Sequence, residues 1–121
     1  MVVDHWPLIR LGITQALGQA DVRVVGEAAR GDEGIGHARS SHAELIVLGE
    51  HLDTSIELTV RRAREAVDEV LVVALVDVRD FDTVRRAFQA RVDGILTPPE
   101  SGKPYRRSEE RRVGKECART W

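Results

Sequence analysis

Residues 70–76, VLVVALV, are apolar throughout. A strand with one face in water alternates in polarity, and this run does not alternate. It predicts a strand buried on both faces, as in a parallel sheet covered by helices on either side. That single inference removes all-helical and simple sandwich folds and leaves an α/β architecture.

The rest of the chain obeys the same grammar. Strands are predicted at 1–3, in VRVVGEA (residues 22–28) ending at Gly26, at 44–48 and at 94–96. Between them lie segments with helical spacing. Residues 7–17 place Ile9, Ile13 and Ala16 or Leu17 on one face, and Pro7 suits a first turn. Residues 31–41 read as a weak helix diluted by Gly34 and Gly36. Residues 55–67 put Ile56, Val60, Ala63 and Val67 on one stripe, with Arg61 and Arg62 outside it. Residues 80–92 read as a capped helix with Val84, Ala87 and Phe88 turned inward. The order βαβαβαβαβ with short connections predicts a doubly wound, parallel, five-stranded sheet. In such sheets the functional crevice lies at the carboxyl ends of the strands. Asp4, His5, Trp6, Glu27, Gly49, Glu50, His51, Asp77, Val78, Thr97 and Pro98 fall there.

Composition narrows the classes. A chain of 121 residues fits one domain, and a net charge of −2 supplies no basic excess for nucleic acid. No apolar stretch approaches the ~20 residues of a membrane helix, and the N-terminus lacks the pattern of a secretory signal. The single cysteine, Cys117, cannot form an internal disulfide, so a reducing cytoplasm is the expectation. The glycines at 26, 31, 34 and 36 do not spell a dinucleotide-binding G-x-G-x-x-G. Asp4, His5, Glu50 and His51 are weak candidates for a divalent-metal site, coming from two strand ends. Glu50 reads as a solvated loop carboxylate.

The pattern breaks after Leu96. Residues 97–105, TPPESGKPY, open poorly as a helix. Residues 107–117, RSEERRVGKEC, resemble the translation of a common sequencing adapter. The chain is therefore divided into a domain at 1–106 and a non-native tail at 107–121.

Residues 1–99 resemble a receiver domain of two-component response regulators, of the type joined to LuxR/NarL helix-turn-helix transcription factors. VVDHWPLIRLGI resembles the family's VVDDHPLVREGL; VRVVGEAARGDEGIGHAR resembles IEVVGEAADGEEALELAR. AELIVLGEHL resembles PDVVLMDLRM, and VRRAFQARVDGILTPP resembles VLEALRAGASGFLLKD. The resemblance implies a flavodoxin-like receiver fold and phosphoryl transfer from a histidine kinase to an aspartate. It also implies acidic residues that hold Mg²⁺, and a Ser/Thr and a Lys that bind phosphoryl oxygens.

Here those positions align with other residues. The nucleophile aligns with Gly49, the acidic pair with Asp4 and His5, the hydroxyl with Val76 and the amine with Pro98. The family's final helix is expected to be missing. The first strand is also short, as if the true start lay upstream of Met1. The expectation is a pseudo-receiver: not an enzyme, with no catalytic residue and no required Mg²⁺. It would act through a protein partner or as a homodimer, with Arg85 and Arg86 as interface candidates. DNA would be reached only through a helix-turn-helix domain absent from this chain. Two alternatives stay open: an acceptor at Asp53 or Asp77, and a small-molecule or metal-binding domain at the sheet edge.

Overall fold

The computed structural model describes residues 1–97. Pro98, the segment expected to lack a final helix and the proposed tail at 107–121 lie outside the described residues. Five strands form one sheet: β1 (Val2–Val3), β2 (Glu27–Ala28), β3 (Leu45–Leu48), β4 (Leu71–Leu75) and β5 (Gly94–Leu96). Four helices connect them: α1 (Pro7–Gln19), α2 (Gly31–Ser41), α3 (Ile56–Ala66) and α4 (Phe81–Gln89). All pairings are parallel and the order is β2-β1-β3-β4-β5. This is the predicted doubly wound fold. The strand order reverses between β1 and β3, and such a switch point opens a crevice at the carboxyl ends.

The core has an unequal distribution between the two faces. Met1, Val3, Ile46, Leu48 and Val72 pack with Ile35 and Ala38 of α2 and Val60 and Ala63 of α3. Val2 and Val47 face the other way, against Ile13 of α1. The stripe predicted for α3 is the one observed, and its cap is explicit: Leu58 N–H donates to the Ser55 hydroxyl at 3.2 Å. In α1, Leu17 rather than Ala16 joins the core.

Gly34 has a reason that propensity alone misses. A Cβ there would lie 2.5 Å from Val3 Cγ2, so only glycine lets α2 approach β1 this closely. The helix that reads as weak is a full 11 residues long; its glycine serves packing, and tertiary contact outweighs propensity.

Three expectations change. Phe88 is 66% exposed instead of inward, because Val84 and Ala87 already occupy the face of α4 that meets β4 and β5. β4 is not buried on both faces: Leu71 is exposed and Val73 and Leu75 are half-buried, while Val72 and Ala74 are buried. The strand predicted to end at Gly26 instead pairs just beyond it, at Glu27–Ala28, because Val2 and Val3 of β1 stand opposite those two residues.

Candidate functional site

The register decides what meets at the switch point. Val3 pairs with Leu48, so the next residues, Asp4 and Gly49, come side by side at the carboxyl ends of β1 and β3. Gly49 N–H donates to Val3 C=O at 2.8 Å and Asp4 N–H to Ala28 C=O at 3.1 Å, which locks both backbones.

Asp4 is fully buried. Its side chain fills the space a side chain at position 49 would need. A Cβ on Gly49 would lie 1.9 Å from Asp4 Oδ2, 2.6 Å from Cγ and 2.7 Å from Cβ. The carboxylate is held by donors: Trp6 N–H to Oδ1 at 2.8 Å and His51 N–H to Oδ2 at 3.1 Å. His51 Nδ1 stands 3.4 Å from Oδ2. The His51 ring stacks on Trp6, with centroids 3.9 Å apart and planes 8° from parallel. His51 thus joins an exposed aromatic ring, Trp6, to the buried carboxylate. His5 N–H donates to His51 C=O at 2.8 Å, tying the β1–α1 loop to the loop after β3.

Arg10 completes the loop from α1. Its Nη1 donates to Asp4 C=O at 2.8 Å and to His5 C=O at 3.3 Å, and its Nε lies 3.4 Å from Glu27 Oε1. The sequence reading passed over Arg10, although a basic residue one turn into the helix after a strand can reach back to that strand's last carbonyls.

The other expected site residues are placed as follows. His5 and Glu50 are exposed. Of the four weak metal candidates the Asp4 and His51 side chains meet, His5 reaches His51 through the backbone alone, and no cluster of three or more metal-ligating side chains occurs among the described residues. Val76 is buried, packed with Ala74 and Ala87. Asp53 accepts from Gly31 N–H at 2.9 Å and so fastens the β3–α3 loop to the start of α2. Asp77 accepts from the side chain and backbone of Arg79, which hold its carboxyl below the usual range. Arg85 pairs with Asp82 on its own helix, whereas Arg86 reaches Glu57 of α3 at 3.1 Å. An open cleft of about 220 Å³ lies beside the switch point, lined by Gly49, Glu50, Thr54, Ser55, Thr83 and Arg86 among others. No helix among the described residues is long and apolar enough to cross a membrane.

No family model matches the chain. Among curated proteins it is similar to the response regulator protein VraR of Staphylococcus aureus, 30% identical over 106 residues. That alignment covers 85% of this chain and 50% of the relative, so the chain spans about half the length of the relatives it matches. Among solved structures it resembles the signal receiver domain of the putative response regulator NarL from Mycobacterium tuberculosis. The TM-score is 0.67 at 24% identity, covering 79% of each chain. It also resembles a chain in the complex of the CheA3 P1 domain with CheY6 from R. sphaeroides. There the TM-score is 0.70 at 24% identity, covering 84% of this chain and 82% of that one. The described residues thus have the flavodoxin-like receiver fold, and sequence likeness and fold together support a response-regulator receiver domain.

Proposed function

We propose that this chain is a pseudo-receiver, a receiver-type domain of a LuxR-type transcription regulator that acts by protein contact without aspartyl phosphotransfer. The observation that carries the reading is the Asp4 carboxylate lying in the volume that a nucleophilic side chain at position 49 would occupy. Glycine has no nucleophile, and the neighbouring carboxylate is buried and held by the backbone N–H groups of Trp6 and His51.

The donor set does not suit Mg²⁺. That ion wants an octahedron of oxygens. Here both oxygens of the buried Asp4 carboxylate face N–H donors, which stabilise its negative charge by themselves. The hydroxyl position is the buried Val76. Asp53 and Asp77 are each engaged by a neighbour, which favours structural roles over acceptor roles.

The contact surface of this proposal is the outer side of α4. Phe81 is 83% exposed there, next to Arg85 and Phe88. Aromatic residues and arginine are the side chains enriched at interface anchors. Arg86 is the lesser candidate, since its guanidinium ties α4 to Glu57 of α3, whereas the Arg85 pair with Asp82 stays within α4. The partner is a protein or a second copy of the domain. DNA would be reached through a helix-turn-helix domain carried outside this chain.

Incubation with acetyl phosphate and Mg²⁺, read by intact mass, tests the loss of phosphotransfer. The expected spectrum holds only the unmodified mass. A phosphoryl adduct mapped to Asp4, Asp53 or Asp77 overturns the proposal.

A further inference from the structure

The cleft of about 220 Å³ beside Gly49 has a mixed lining. Ile56, Leu75 and Val76 supply apolar surface. The loop before α3 brings Thr54 and Ser55, α4 brings Thr83 and Arg86, and Glu50 follows Gly49.

The internal hydrogen bonds decide what each polar group has left to offer. Thr59 has one hydroxyl proton, and it goes to Ser55 C=O at 2.8 Å. In the 2.9 Å contact between the Thr54 and Thr59 hydroxyls, Thr54 is therefore the donor, and its oxygen keeps only lone pairs. Thr83 is in the same state, because its hydroxyl donates to Asp80 Oδ2 at 2.7 Å. Ser55 is the reverse: its Oγ accepts from Leu58 N–H, and its proton is unspent among the described residues. Arg86 gives Nε and Nη2 to Glu57, at 3.3 and 3.1 Å, and keeps Nη1. Glu50 is exposed and makes no ion pair among the described residues. Each side of the cleft thus carries a free donor beside a free acceptor: Ser55 with Thr54, and Arg86 with Thr83. A simple anion would satisfy the donors and leave the acceptors unmatched, and a simple cation would do the reverse.

We propose that this cleft binds a small zwitterion, an α-amino acid with a branched apolar side chain of valine or leucine size. Its carboxylate takes the Arg86 Nη1 and Ser55 hydroxyl donors. Its ammonium group takes the Thr54 and Thr83 oxygens and the Glu50 charge, and its side chain covers Ile56 and Leu75. The volume holds roughly seven waters at ~30 Å³ each, which suits a ligand of that size and excludes a nucleotide. Glu57 already fixes the Arg86 guanidinium, so little of its side-chain entropy remains to be lost on binding. The site uses neither a phosphoryl group nor the outer side of α4, so it stands apart from the contact function proposed above.

The test titrates the isotope-labelled 121-residue chain with L-valine and L-leucine and follows its amide NMR spectrum. Isocaproate, which lacks the ammonium group of leucine, and isoamylamine, which lacks its carboxylate, are the comparison probes. At least one amino acid is expected to saturate with a Kd on the order of 0.1–1 mM and to shift the Thr54, Ser55, Thr83 and Arg86 amides. Isocaproate and isoamylamine are expected to bind about tenfold more weakly or worse. Arg86→Gln and Glu50→Gln are each expected to weaken the amino acid by about threefold to tenfold. Glu50 has no partner to lose, so E50Q keeps the result independent of folding. The assignment is overturned by no shift at these amides up to about 10 mM of either amino acid. It is equally overturned by a probe with one charge that binds as well as leucine, or by undiminished binding in both variants.

Discussion

Replacing Gly49 with alanine adds one carbon where Asp4 now stands. Rotation of the carboxylate would clear Oδ2 at 1.9 Å, but Asp4 Cβ at 2.7 Å moves only with the β1 backbone. That backbone is fixed by Asp4 N–H on Ala28 C=O and by Val3 C=O under Gly49 N–H. Either β1 and β3 separate locally or Asp4 leaves its pocket. In the second case Trp6 N–H and His51 N–H lose a charged acceptor. Hydrogen bonds to charged groups contribute about 1.5–3 kcal/mol each, so G49A is expected to cost about 2–4 kcal/mol after partial rehydration. In thermal unfolding that corresponds to a fall of about 10–25 °C. Urea denaturation of G49A, D4G and the double variant closes the cycle. The cost of G49A is expected to fall to about 1 kcal/mol or less in the D4G background, because the colliding atoms are gone. A G49A protein within about 0.5 kcal/mol of the parent would refute the reasoning, since surface-like tolerance is incompatible with a filled pocket.

Further outcomes follow from the same contacts. Gly34→Ala places its Cβ 2.5 Å from Val3 Cγ2 and is expected to cost about 1–3 kcal/mol in urea denaturation as α2 lifts from β1. Trp6→Ala removes the stack on His51, with an expected loss of about 0.5–1.5 kcal/mol and a broadened His51 ring resonance by NMR. Asp93 is held below the usual carboxylate range, first by the Val72 N–H at 2.8 Å and then by Arg64 at 3.1 Å. A depressed folded pKa adds stability above the unfolded value near ~3.9, and that stability is lost as pH falls through the folded pKa. Stability against pH measured by denaturant titration is therefore expected to decline below about pH 4, and less steeply in D93N. The same substitution is expected to cost about 1 kcal/mol at pH 7, a value reduced by solvent screening of a carboxylate this exposed.

Much of the fold was legible because periodicity reports burial. The apolar stripe of α3 and the strands at 45–48 and 71–75 stand in the structure within a residue or two of where the pattern puts them. Phe88 misled the reading because a 3.6-residue stripe marks apolar character, not which apolar residue wins the core-facing position; Val84 and Ala87 did. The strand expected to end at Gly26 pairs beyond it instead, because strand pairing needs a partner and β1 supplies one opposite Glu27 and Ala28. At the candidate site, alignment with the resembling family singled out Asp4, Gly49 and Val76. It carried no information on where the Asp4 side chain would point.

By itself the sequence determined the element order, the parallel sheet and the absence of a nucleophile at Gly49. These are local properties: hydrophobic period, turn chemistry and side-chain identity act within a few residues of the chain. The tertiary structure alone decided that Asp4 occupies the space above Gly49, that His51 meets it and stacks on Trp6, and that Gly34 admits α2 to β1. Each of those facts depends on register between segments more than 25 residues apart. Register is set by the whole sheet closing at once, because a one-residue slip turns every side chain to the opposite face.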